Sequence, residues 1–159
     1  MRRAIPAVVL GILASGCRSN SAAADAGSAR DPSDARREIV DLMRAQEAAW
    51  NQGDIAAFME LGYWRSPDLT FYSGGEVSRG FEEMLARYRK NYEGPGKERG
   101  TLAFTQLDVV PLAGGVALAR GRWDLDYVAK KDVGGLFTLA LRHTEAGWRI
   151  VHDHTSVDG

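Results

Sequence analysis

The sequence has one cysteine, no apolar run long enough for an ordinary transmembrane helix, and almost no net charge. The single cysteine, Cys17, excludes an intrachain disulfide among the 159 residues. A membrane-spanning helix needs about 20 consecutive apolar residues, and no such run is present. The formal net charge of -1 argues against nucleic-acid binding, which needs a basic surface. We therefore expect no nucleic-acid partner.

Several common chemical motifs are also missing. The sequence has no Gly-x-Gly-x-x-Gly, no phosphate-binding loop and no nucleophile elbow. His152 and His154 have a spacing that can chelate a metal from one strand, but no second cluster supplies further ligands. Cys17 and His143 do not complete a convincing set. We therefore predict no metal and no cofactor.

Residues 1–16 have the order of segments that is typical of an export signal. Two arginines precede an apolar run, and small residues follow it. The sequence before Cys17 resembles the lipobox of bacterial lipoproteins, and the resemblance implies cleavage after Gly16 and lipid attachment to Cys17. The alternative is an ordinary secretory signal with an incidental cysteine. Residues 17–30 are then the lipidated cysteine and a flexible tether, rich in Ser, Ala, Gly and Asp.

This N-terminus predicts where the protein is found. A lipid-anchored, exported protein is attached to a bacterial membrane on its periplasmic side or at the cell surface. By resemblance to Gram-negative lipoproteins, Arg18 in place of an aspartate after the cysteine favours the outer membrane. The lipid anchor is the only membrane contact that we expect.

Residues 31–159 form one domain, in which helices come first and strands afterwards. Apolar residues at helical spacing predict three helices, which begin at Asp31, Asp54 and Gly80. A short strand is predicted at 68–72, before the third helix. Longer strands with short turns are predicted near 101–110, 115–128, 135–143 and 147–156. This order predicts an α+β domain with helices on one face of a mainly antiparallel sheet.

Four segments of this domain carry a family likeness: 49–54, 63–71, 78–81 and 147–156. Together with the order of helices and strands, they resemble the SnoaL-like branch of the nuclear transport factor 2-like superfamily. The resemblance implies a cone-shaped fold, in which a strongly curved sheet wraps around the helices and leaves a cavity between them.

Relatives in that superfamily differ in function, so the fold alone does not decide it. They include ketosteroid isomerase-like enzymes, polyketide cyclases, dehydratases and non-catalytic binding or dimerisation modules. Members often pair through the sheet, and we therefore expect a homodimer. An isomerase of the ketosteroid type needs a carboxylate base opposite a tyrosine or a protonated aspartate. No set of matching residues can be placed in this sequence.

The last predicted strand contains the candidate catalytic residues. Alternation places His152, His154 and Ser156 on one face with its apolar residues, and Asp153 on the other. Histidine titrates near neutral pH and can transfer a proton, so His154, with His152, is the candidate general acid–base. The alternative for His152 is a core position with its ring nitrogens hydrogen-bonded to the backbone. Asp153 is expected at the surface.

Further side chains are predicted to line the ligand pocket beside His154. Trp123 lies on a strand face with small residues, which leaves room for a ligand, although a plain core position is nearly as plausible. Trp50 ends the first helix, where the alternative is again the core. Tyr72 and Ser156 complete the predicted pocket. Tyr72 alternates with Leu69 and Phe71, so its hydroxyl faces the cavity only if those two residues pack elsewhere.

Three functions are consistent with the sequence. The first is an exported domain that binds a small apolar or amphipathic molecule in its cone without chemistry. The second is a general acid–base enzyme of isomerase, cyclase or dehydratase type that uses His154. The third is a non-catalytic dimerisation or assembly module. A cavity with convergent polar groups indicates a site but not turnover, so binding is the first choice.

Overall fold

The computed structural model describes residues 31–159. The predicted signal peptide, the lipidation of Cys17 and the tether lie outside the described residues. The helices are Pro32–Asn51 (α1), Ile55–Gly62 (α2) and Phe81–Tyr92 (α3). The strands are Thr70–Ser73 (β1), Glu76–Arg79 (β2), Thr101–Leu112 (β3), Val116–Asp126 (β4), Val133–Thr144 (β5) and Gly147–Thr155 (β6).

The first two helices begin where their capping residues predict. The Asp31 carboxylate accepts a hydrogen bond from the backbone N–H of Ser33 at 2.7 Å, and the Asp54 carboxylate accepts one from Ala57 at 2.8 Å. Between them the chain reverses at Gly53, whose φ of 91° is costly for other residues. None of the helices within residues 31–159 is long and apolar enough to cross a membrane.

The six strands form one curved sheet in the order β2-β1-β6-β5-β4-β3. All neighbouring pairs are antiparallel except β1 and β6, which are parallel. The predicted α+β fold, with helices on a strongly curved, mainly antiparallel sheet, is confirmed. The sequence prediction missed β2, which forms a hairpin with β1 across Gly74 and Gly75.

Side chains of α1 bind the free edge of β3. The Asn51 amide accepts a hydrogen bond from the Leu102 N–H at 2.8 Å and donates one to the Leu102 carbonyl at 2.9 Å. The Glu47 carboxylate accepts one from the Phe104 N–H at 2.7 Å. These contacts satisfy backbone groups that an edge strand otherwise leaves unpaired. They also hold α1 against β3.

A β-bulge interrupts β6. His152 pairs with Ala140 and Ile150 pairs with Leu141, so Val151 has no partner on β5. Ile150 is buried before the bulge, and Asp153 is buried after it. The inner face of the sheet, which packs against the helices, therefore receives even-numbered residues before the bulge and odd-numbered residues after it.

Candidate ligand cavity

A cavity lies between the three helices and the inner face of the sheet. Its volume is about 150 Å³, and nine of the side chains that line it are aromatic. The polar groups at its wall are few: Gln46, Ser73, Asp153, Thr155 and the hydroxyl groups of three tyrosines. A mainly apolar cavity with a few convergent polar groups is typical of a small-molecule site.

Asp153 is the only carboxylate at the cavity wall among residues 31–159, and it is 3% exposed. The Tyr63 hydroxyl donates a hydrogen bond to its Oδ2 at 2.8 Å, and the Thr155 hydroxyl donates one to its Oδ1 at 2.7 Å. Each carboxylate oxygen thus keeps a lone pair that a ligand can use.

Burial dominates the protonation behaviour of these groups. It raises the pKa of Asp153 to about 6, because the charged carboxylate loses its water, while the hydrogen bonds from Thr155 and Tyr63 and the charge of His154 oppose the rise. Burial and then the negative charge of Asp153 raise the pKa of Tyr63 and of Tyr88 well above the usual value. The tyrosines therefore remain donors at neutral pH, whereas Asp153 changes its charge near pH 6.

The predicted position of His152 and His154 in the cavity is wrong. The bulge at Val151 reverses the alternation, so both histidines lie on the outer face of the sheet, where His152 is half-buried and His154 is exposed. The same reversal places Asp153 inside the cone, although the sequence predicted it at the surface. The candidate acid–base group of the cavity is thus the aspartate between the two histidines.

Tyr72 is also outside the cavity, and its prediction as a pocket residue is wrong. β1 runs beside β6 with Tyr72 opposite His154, so the tyrosine faces outward too. Its ring packs edge-on against the rings of His152 and His154, with centroids 5.2 and 6.1 Å away. Within residues 31–159, no group of three or more His, Cys, Asp or Glu side chains could hold a metal ion.

The two predicted tryptophans do line the cavity. Trp50 is buried, and its indole N–H donates to the Gly100 carbonyl at 3.1 Å. The Trp123 indole N–H donates to the carbonyl of Ser156 at 3.0 Å. The prediction that the Ser156 side chain lines the cavity is wrong. Its hydroxyl donates a hydrogen bond to the backbone carbonyl of Leu136 instead.

Comparison with known proteins identifies the family. The family model of the SnoaL-like domain matches residues 39–158, which include every residue that lines the cavity. The chain belongs to the SnoaL-like domain family. An NTF2-like protein of unknown function from Shewanella oneidensis is 38% identical, with a TM-score of 0.70, over 76% of this chain and 98% of that chain.

More distant structures share the fold of this SnoaL-like domain. An NTF2-like superfamily protein from Salmonella enterica is 19% identical, with a TM-score of 0.67, over 80% of this chain and 93% of that chain. An uncharacterised protein with a cystatin-like fold from Caulobacter vibrioides is 23% identical, with a TM-score of 0.62, over 79% of this chain and 91% of that chain. A comparison with curated proteins gives no match. The comparisons therefore establish family and fold, and the function has to be argued from the cavity.

Val157, in the segment 156–158 after β6, forms part of the cavity wall in this SnoaL-like domain. The Ser156 N–H donates to the Leu136 carbonyl at 2.9 Å, and the Asp158 N–H donates to the Gly134 carbonyl at 2.8 Å. The segment crosses β5 at Gly135, where a Cβ atom would lie 2.1 Å from the Ser156 carbonyl oxygen. A side chain at this position would therefore displace the segment, and Val157 at the cavity wall with it.

Seven polar residues of the cavity were not predicted as site residues: Gln46, Tyr63, Ser73, Tyr88, Tyr92, Asp153 and Thr155. Gln46 and Tyr88 lie on the apolar stripes of α1 and α3, where periodicity indicates a core position but not a polar contact. The one sequence signal that could have identified these two residues as site residues is the presence of a polar side chain on an apolar stripe. Tyr63 lies in the connection after α2 and gives no periodic signal.

Proposed function

We propose that this SnoaL-like domain is exported and binds a small apolar or amphipathic molecule in its cavity. The observation that supports the proposal is the buried carboxyl group of Asp153 in an otherwise aromatic wall. Burying a carboxylate costs free energy, and a core of this size does not need one. A polar group of the ligand that binds Asp153 accounts for its presence, and the aromatic rings contact the apolar part of the ligand.

The volume of the cavity limits the size of the ligand. A cavity of roughly 150 Å³ lined by apolar side chains holds a molecule the size of benzene. The cavity here has about the same volume. The ligand that fits it is therefore a single six-membered ring with one or two small substituents.

The proposal predicts that single-ring compounds with a hydrogen-bonding group raise the thermal midpoint of the protein. Asp153→Asn should weaken the binding of a hydroxylated ring about tenfold, because a hydrogen bond to a charged oxygen is stronger than one to an amide. His154→Ala is the matched control, since it alters the adjacent residue on the outer face and should leave binding unchanged. If no compound shifts the midpoint, the binding proposal is contradicted and assembly is the favoured function.

A second candidate function is general acid–base catalysis by Asp153. Two observations favour it: the pKa of about 6 and the hydrogen bond from Tyr63. A group that titrates near the working pH is an effective acid or base. Product formation that depends on Asp153 and changes near pH 6 would establish catalysis.

We also propose that Cys17 is lipidated and that residues 18–30 tether the domain to a bacterial membrane. The support is the sequence of residues 1–17 alone. The full chain expressed in a Gram-negative host should sediment with membranes, and Cys17→Ser should release most of it. Ser19→Ala is the matched control and should remain in the membrane fraction. A Cys17→Ser protein that stays with the membranes would contradict the anchor.

A further inference from the structure

Gln46 is a buried polar residue whose side chain is only half satisfied. It lies on α1, is 1% exposed and lines the cavity. Its Nε2 donates a hydrogen bond to the Phe58 carbonyl at 3.0 Å. Its Oε1 has no hydrogen-bond partner among the described residues.

The packing around Gln46 fixes the orientation of its amide group. The Phe58 carbonyl only accepts hydrogen bonds, so the nitrogen has to face it and the oxygen is held on the other side. The amide also lies directly against Gly62, where a Cβ atom would stand 1.9 Å from Nε2. The oxygen therefore cannot exchange places with the nitrogen to find a donor elsewhere.

An unsatisfied buried acceptor needs an explanation, because it lowers the stability of the fold. The neighbouring positions of the α1 stripe, Met43 and Trp50, are apolar, and an apolar residue of similar length would fill the place of Gln46 without that cost. A residue that lowers stability and lines a ligand cavity is typical of a functional position.

We propose that Gln46 Oε1 is a second polar contact of the ligand and accepts a hydrogen bond from it. This inference rests on the proposed binding function and specifies its ligand class. Asp153 and Gln46 both line the cavity and both have oxygen acceptors, so the ligand class that fits is a single ring with two donor groups, such as two hydroxyls. Monoanionic rings such as benzoate are excluded, because their carboxylate would meet two acceptors.

The test compares the three benzenediols with the three cresols by calorimetry at pH 8. A cresol and its matching diol have the same number of heavy atoms and differ in one hydroxyl. For the isomer that binds best, the wild type should bind the diol about tenfold more tightly than the cresol, the factor expected for one buried hydrogen bond. Gln46→Met, of similar length but without the acceptor, should weaken the diol about tenfold and the cresol less than twofold.

Two controls separate a ligand contact from a structural role. Met43→Leu alters another residue of α1 at the same cavity and should preserve the preference for the diol. Gln46→Met should unfold within a few degrees of the wild type without ligand, because it removes both the unsatisfied acceptor and the hydrogen bond to the Phe58 carbonyl, two effects of opposite sign. Gln46→Leu provides the same comparison if the methionine variant does not fold.

The possible results are distinguishable. A diol preference that disappears in Gln46→Met and persists in Met43→Leu supports the contact. Equal affinities for diol and cresol in the wild type, or an unchanged preference in Gln46→Met, overturn the role of Gln46 and leave the binding function standing. Failure of both compound series to bind the wild type overturns the binding function and this inference together.

Discussion

Replacing Asp153 with asparagine is expected to stabilise the folded protein above pH 6 by up to about 3 kcal/mol. The pKa of this carboxyl is about 6 in the folded protein and 3.8 in a solvated aspartate. Above pH 6 the folded protein holds a buried carboxylate that the unfolded chain would solvate. The asparagine amide is neutral at every pH, has nearly the same shape, and can still accept from Tyr63 and donate to Thr155.

The sign of the effect defines the pH window of the measurement. Between about pH 4 and pH 6 the folded protein binds a proton that the unfolded chain has released, so the contribution of Asp153 to stability is present below pH 4 and is lost as the pH rises through 6. Urea denaturation at pH 4, 6 and 8 should show the gain of Asp153→Asn over the wild type growing with pH. Asp126→Asn, at an exposed carboxylate, is the control and should show no such growth.

A different outcome would contradict the assigned protonation of Asp153. If Asp153→Asn were less stable than the wild type by the same amount at all three pH values, the carboxylate would be a structural hydrogen-bonding residue and not an unfavourably buried charge. The expected outcome has a functional meaning as well. If Asp153→Asn makes the protein more stable and also weakens ligand binding, the carboxylate lowers stability but is required for the binding site.

The fold was predictable because its signals are local. Asp31 and Asp54 cap helices in sequence, Gly53 separates them, and the apolar stripe of α3 has helical spacing. The long strands were delimited by turn residues between them. β2 was missed because it has only four residues and just one of them is buried, so alternation gives almost no signal.

The errors in the predicted site on β6 have one origin, which is the bulge at Val151. Alternation assumes an unbroken register, and the bulge at Val151 changes the face of every residue after it. Nothing local marks this position, because valine has no special preference for a bulge. His152 and His154 were therefore assigned to the cavity, and Asp153 was assigned to the surface. Tyr72 is a separate case, because it lies on β1 and faces outward while Leu69 and Phe71, which alternate with it, are buried. Trp50 and Trp123 were placed correctly, because the periodicity of α1 and the alternation of β4 continue unbroken up to these residues.

The tyrosines around Asp153 depend on contacts that are distant in sequence. Tyr63 and Asp153 are 90 positions apart, and their hydrogen bond forms only when α2 has packed against β6. A single sequence contains no information on such a pair without a motif that links the two positions. The polar part of the site is therefore a product of tertiary packing, whereas its apolar wall follows from local patterns.

Trp50→Ala is expected to lower the free energy of unfolding by about 3–5 kcal/mol. Trp50 is 2% exposed, and its ring packs edge-on against Tyr92 and Phe58 with centroids 4.8 and 5.2 Å away. Its removal creates a void and also leaves the Gly100 carbonyl without its hydrogen bond. Typical domains unfold with about 5–15 kcal/mol, so the variant should lose a large part of its stability.

Trp50→Phe is the matched control for this prediction. It keeps an aromatic ring among the same neighbours and removes the N–H group that binds the Gly100 carbonyl, so the loss should be smaller, about 1–2 kcal/mol. Guanidinium denaturation of the three proteins measures both losses. Equal losses for alanine and phenylalanine would show that the hydrogen bond, and not the packing of the ring, is what Trp50 contributes.

The same substitution changes what the cavity can hold, because Trp50 forms part of its wall. Trp50→Ala should admit a two-ring compound such as 2-naphthol, which is too large for a cavity of about 150 Å³. Binding to the folded state should then restore part of the lost stability, by an amount that grows with the concentration of the compound. The wild type should not respond to 2-naphthol, and a wild-type midpoint that rises with it would contradict the single-ring limit.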